Sequence, residues 1–270
     1  MVNESQRPLP AFENPPVIET LLGVQFSPIE ALSVLHFGIF WNEVRDAYPN
    51  HQIKPPLDPA VEDFEPTRAI GLAFGLRVVS EPPLRCWLID ATSTELLQLQ
   101  KDRFVRNWRK QKPDHVYPRY EFLKPKFRQD WERFCEFLRG NGIAAPEVNQ
   151  CEITYVNHIE AGPSVNIDKV VRFLAPKPSR DFLPDPEMVQ LSASFMLPGK
   201  SGRLHIVLQP VIAVPEAKEA LQLTLTARGR PASSSLTDIL HWFDMGHEWI
   251  VRGFTDFTSQ EMHRAWRRIP

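Results

Sequence analysis

The sequence predicts an α+β fold, with antiparallel sheets and helices packed on one face. Three observations carry that expectation. In the segments 187–197, 203–213 and 219–228, apolar residues recur at every second position, the period of a sheet with one buried face. In 127–138 and 235–254 the apolar residues instead recur every three or four positions, the period of a helix with one buried stripe. Finally, both halves of the chain read β-α-β-β-β-α, so a duplicated module is expected even though their residues align poorly. The expected boundaries are a loose N-terminal lead at 1–14, a first half at 15–142 and a second half at 143–270, forming two units or one continuous domain.

Each element has its own signal. Ile18, Leu22, Val24 and Phe26 alternate in a first strand, after which Ser27-Pro28-Ile29-Glu30 has the composition of a capped helix start running to Ala47. Apolar residues surround that helix, so it is expected to be buried. Tyr48 to Pro66 reads as an irregular, proline-rich connection, and strands are expected at 69–79, 84–90 and 94–108. From Phe127 the spacing Phe127, Trp131, Phe134, Leu138 sets a helix that Gly140-Asn141-Gly142 stops. The second half brings a strand at 148–160, a short helix near 166–174, the three alternating strands and the helix at 235–254. Thr258-Ser259-Gln260-Glu261 fits a capping box for one more. Proline, at 26 residues against 12 glycines, marks the joints.

The 270 residues have a net charge of −2, which gives no bulk attraction to nucleic acid or anionic lipid. Cys86, Cys135 and Cys151 are odd in number and lack CxxC spacing, which argues against a disulfide framework or zinc knuckle and for a reducing, cytoplasmic setting. The first residues have no apolar signal core, and no run of about 18 apolar residues suggests a membrane span. Neither a GxSxG elbow, an HExxH pair nor a phosphate-binding glycine loop is present, so no catalytic residue, cofactor or metal is expected. His247 falls in the apolar stripe of its helix and reads as a core histidine.

Charge is concentrated at one place. Between Lys101 and Arg128 lie ten Lys or Arg and three acids, while the rest of the chain carries 21 basic and 30 acidic residues. Arg103, Arg106, Arg109 and Arg119, with Trp108, Tyr117 and Tyr120, are the candidate binding residues. They could contact phosphates and unpaired bases, or form a network in which guanidinium groups pack on rings. Strand alternation separates Arg103 from Arg106 and Trp108. His158 and His205, on expected strands, could meet across the sheet. The polar face with Gln190, Ser192, Ser194, Gln209, Gln222 and Thr224 reads as a solvated surface or as the wall of a ligand groove.

The motifs Asn14-Pro15-Pro16-Val17-Ile18-Glu19, Leu97-Gln98-Leu99-Gln100-Lys101-Asp102-Arg103-Phe104 with Asn107-Trp108-Arg109, Tyr117-Pro118-Arg119-Tyr120-Glu121 and Tyr155-Val156-Asn157-His158-Ile159 occur here in order. As a set they resemble a sporadically distributed family of uncharacterised prokaryotic proteins of about this length. The resemblance implies an accessory role, such as phage defence or a toxin–antitoxin module, and supplies no catalytic residues. The expectation is therefore a non-catalytic binding or interaction subunit with a protein or small-molecule ligand, open to self-association and without a membrane. The alternatives are a nucleic-acid-binding protein using 101–128 and an enzyme with an unrecognised site.

Overall fold

The computed structural model describes residues 8–64, 84–160, 167–172, 188–213 and 218–269. The first half supplies β1 (Ala11–Phe12), β2 (Val17–Phe26), α1 (Val34–Val44), β3 (Asn50–Lys54), β4 (Arg85–Ile89), β5 (Glu95–Gln100), β6 (Arg103–Arg109) and α2 (Tyr120–Gly140). The second supplies β7 (Val148–Glu160), α3 (Ile167–Val170), β8 (Leu191–Met196), β9 (Gly202–Ala213), β10 (Lys218–Gly229), α4 (Leu236–Phe257), α5 (Gln260–Ala265) and β11 (Arg268–Ile269). Nine strands form one antiparallel sheet in the order β3-β4-β5-β6-β2-β7-β10-β9-β8, with helices on one side. This is an α+β fold.

Both halves use one connectivity. In each, the first strand lies beside the last, followed by the third and the second: β2-β6-β5-β4 and β7-β10-β9-β8, with β3 as an extra strand in the first half. Each half thus leaves one side of its first strand unpaired within itself. The two free sides pair with each other, Leu22 opposite Ile153 and Val24 opposite Cys151, so two expected sheets are one.

The alternation behaves as expected in the centre of the sheet, where Leu204, Ile206, Leu208, Leu221, Leu223 and Leu225 are all buried beneath the helices. It fails at Ile18. A bulge between Val17 and Glu19 shifts the register, so Val17 takes the buried place. It also fails along the edge strand β8, where Phe195 is exposed.

Several boundaries differ from expectation. Ser27 and Ile29 donate their backbone N–H groups to Glu147 and Lys101, so this stretch stays tied to the sheet. The helix starts only after Ser33, whose own N–H donates to His36 Nδ1 at 3.1 Å. On α1, Phe37 and Phe40 are buried but Leu35 is 77 % exposed, so the helix is not enclosed. The expected single strand at 94–108 is a hairpin, β5 and β6, turning at Lys101-Asp102. The connection after Tyr48 contains β3, and the strand expected at 69–79 lies outside the described residues. The last helix is capped by Ser259, whose hydroxyl accepts from the Met262 N–H, and not by Thr258. Residues 8–14 are not loose: β1 pairs with β11, and Phe12 is buried against Phe254 and Trp266.

Rings dominate the core. On α2, Phe127, Trp131 and Phe134 surround Phe104 of β6 at 5.2 to 5.8 Å, and Phe127 meets Phe243 of α4 edge-on at 4.9 Å. Helix α4 lies close on β7 and β10 because Gly246 has no side chain; a Cβ there would come within 2.9 Å of Ile153.

Candidate functional site

The basic stretch divides among three places. On the face of the sheet away from the helices, residues 57–62 cross the strands as a strap, held at successive points. Leu57 exchanges two 2.9 Å hydrogen bonds with Gln100, Ala60 N–H donates to Gln25 Oε1, and Glu62 N–H donates to Gln150 Oε1. Arg103 belongs to this strap, donating to Gln25 and to Asp58 O. The Glu62 carboxylate, 6 % exposed, receives Arg203 at 2.9 Å, His205 at 2.7 Å and Arg228 at 3.4 Å. Burial would raise its pKa, but these hydrogen bonds and charges outweigh burial and hold it below the ordinary carboxylate value. Of the polar face in the second half, the strap thus covers the end that carries His205 and Arg228. His158 pairs with Gln222 on β10, while His205 lies on β9 beyond it, so the two histidines do not meet.

Arg109 lies farther along the same face. It is one of three cations around the Trp87 ring, at 5.2 Å, with Lys54 at 4.9 Å and Arg85 at 5.4 Å. Nearby, burial raises the pKa of Glu19 against the pull of its hydrogen bond from Asn107.

Arg106 and Trp108 point the opposite way, under the helices. Arg106 is 3 % exposed and bridges Glu95 at 2.6 Å and Asp130 at 2.9 Å. Burial opposes its charge, and Tyr48, Glu95 and Asp130 outweigh burial, raising its pKa above the ordinary value. Trp108 is 5 % exposed and packs on Tyr117, so it offers no face to a nucleic-acid base. Of the cations that follow, Lys124 pairs with Asp244, Lys126 with Glu95 and Arg128 with Glu132. The strand's alternation and the acids of β5, α2 and α4 therefore divide the apparent basic patch.

The remaining candidates, Tyr117, Arg119 and Tyr120, come together at a cavity of about 400 Å³ on the seam between the halves. Its floor is Tyr155 and Asn157 of β7 with Leu225 of β10, and its walls are the turn into α2 and one face of α4 around His247, Ile250 and Phe254. Residues Leu9 to Phe12 and Ile269 border it from the paired termini. A groove between α2 and α4 adjoins it, sharing Tyr120, Glu121 and His247. The volume is that of a small-molecule site, and apolar and aromatic walls with a few polar groups are the composition expected of one.

The polar groups form a relay. Tyr117 donates to Tyr155 Oη at 2.8 Å, and Tyr155 Oη lies 3.0 Å from His247 Nδ1. Tyr120 stacks on the His247 ring at 4.0 Å and donates to Asp244 at 2.9 Å. Burial lowers the His247 pKa to about 4, so the imidazole is neutral at pH 7. It also raises the three tyrosine pKa values, leaving the hydroxyls protonated. At the rim, Arg119 has φ +71° and ψ 158°, a region that side chains strongly disfavour. Its guanidinium donates to Phe12 O at 2.8 Å and Glu13 O at 3.1 Å, joining the N-terminal segment to α2.

Sequence reasoning thus found one side of the cavity and missed Asn157, His247, Ile250 and Phe254. A histidine in an apolar stripe gives no local sign of a cavity beside it; the signal available was the Tyr-x-Asn pair on the buried face of β7. Among the described residues no cluster of three His, Cys, Asp or Glu could hold a metal ion, and no helix is long and apolar enough to cross a membrane. Burial raises Cys86 to about 11 and Cys135 to about 12, so neither is a ready nucleophile. The chain matches no protein-family model, and no curated protein or solved structure is detectably similar to it.

Proposed function

We propose that this protein is a ligand-binding subunit, without chemistry of its own, whose small-molecule site is the seam cavity. The observation that supports this is a half-open cavity of about 400 Å³ lined by aromatic side chains from both halves with a few convergent polar groups. A ligand there would touch β7, α2, α4 and both terminal segments at once, so its binding energy would act on the joint between halves. That is the property of a sensing subunit, and it accords with the accessory-system role implied by the family resemblance.

The test is to fill the cavity. Val251 lines it and is half-buried, so Val251→Trp adds bulk from the accessible side. A fragment library screened by thermal shift is expected to stabilise the wild-type protein, and the stabilisation should vanish in Val251→Trp while the variant's own melting temperature stays within a few degrees. Hits that survive the substitution would place binding elsewhere and refute the proposal.

A further inference from the structure

The hydrogen bonds around His247 fix which of its nitrogens carries the proton. Tyr155 Oη accepts from Tyr117, so its own hydrogen is left to donate, and the acceptor within reach is His247 Nδ1. Nδ1 is then unprotonated and the proton sits on Nε2. That N–H meets no acceptor among the described residues and is not sealed from solvent, because the ring, 9 % exposed, borders both the cavity and the groove. Asn157, which also lines the cavity, donates through Nδ2 to Leu223 O at 3.0 Å, and its side-chain oxygen has no donor among the described residues. A ligand seated in the cavity displaces the water that can serve these groups, so one that supplies an acceptor keeps the hydrogen bond and one that does not leaves the donor unmade.

The rest of the lining excludes other ligand classes. Arg119 is committed to two backbone carbonyls and sits beside Glu121, so the rim offers an anion no unopposed cation. A cation would find Glu121 only at the exposed rim beside Arg119, and further in it would meet a neutral imidazole and protonated phenols. The walls are rings, Phe12, Tyr117, Tyr120, Tyr155 and Phe254, which favour a flat apolar body.

Resting on the reading of the cavity as a ligand site, we propose that it takes an uncharged, planar, carbonyl-bearing aromatic or heteroaromatic molecule whose carbonyl oxygen accepts from His247 Nε2–H. Three probes separate the requirements: coumarin, which is flat, neutral and carbonyl-bearing; naphthalene, which lacks the carbonyl; and coumarin-3-carboxylate, which adds a charge. Each is titrated into full-length protein labelled with nitrogen-15 at histidine, following the His247 ring nitrogens. Coumarin is expected to shift the Nε2 resonance and to bind about tenfold more tightly than either other probe, the cost a ligand without a neutral acceptor incurs by covering that donor and leaving it unmade. His247→Phe should bind coumarin and naphthalene alike, and His247→Gln, which restores an N–H, should recover part of the preference. Naphthalene binding as tightly as coumarin, a protonated Nδ1, or preference for the carboxylate would overturn the proposed ligand class while leaving the cavity as the site. If none of the three binds folded wild-type protein, the cavity reading falls with it.

Discussion

His247 is where burial and chemistry meet most sharply. Tyr120, Tyr155 and α4 remove it from water, which lowers its pKa to about 4, while Glu121, Asp244 and Glu248 pull the other way with less effect. Because the folded pKa lies below the ordinary 6.5, the unfolded chain binds more protons between these values. Stability is therefore complete above about pH 6.5 and is lost as pH falls toward 4. The loss attributable to this group should reach roughly 3 kcal/mol, and His247→Gln should flatten the pH dependence of the urea midpoint in that window. His263, also lowered first by burial, contributes in the same direction and remains in the variant as a background slope. Arg106 makes a second residue-scale prediction. Arg106→Ala leaves Glu95 and Asp130 without their shared cation and should cost about 3–5 kcal/mol in denaturant unfolding. Arg109→Ala, which removes a contact on the Trp87 ring, should cost only about 1 kcal/mol. Equal costs would mean that the two arginines share one environment. Alternation in the sequence separated Arg103 from Arg106, and the structure puts Arg109 on the side of Arg103. The partner of His247 was not legible, because Tyr155 lies 92 residues away and no local period encodes a contact at that range.

At the scale of elements, the strongly periodic pieces were legible and their ends were not. Helix α2 begins at Tyr120, not at Phe127, because the Tyr120 ring is tied to Asp244 and His247, which keeps the first turn helical despite Pro125 in the second. The turn between β5 and β6 lacks the glycine or asparagine that marks most hairpins, so the pair reads as one strand. The strap at 57–62 has no periodicity at all, since its order comes from amide side chains on strands distant in sequence. Glu62→Gln should release its charge-assisted contacts to Arg203, His205 and Arg228 and cost about 1–3 kcal/mol. Amide hydrogen exchange should then quicken at Leu57, Ala60 and Glu62 ahead of β7 and β10. Unchanged protection at those three amides would show that the Gln25, Gln100 and Gln150 contacts hold the strap unaided.

For the whole molecule, the repeat of β-α-β-β-β-α in the sequence was the informative signal, and its consequence was not deducible from it. Two halves with the same strand order can stand apart or join, and here the unpaired sides of β2 and β7 join them. That junction brings α2 and α4 side by side above the centre of the sheet, and the cavity lies where their first and middle turns meet the paired termini. A site so built depends on both halves and on segments at both ends of the chain. The central claim, that this seam binds a small molecule, is tested most directly by mapping amide chemical shifts on full-length protein during titration with fragments that stabilise it. The account predicts that residues 117–121, 155–157, 247–251 and 9–12 move together at one common affinity. Shifts confined to one half, or clustered on the strap face around Trp87 and Glu62, would contradict it.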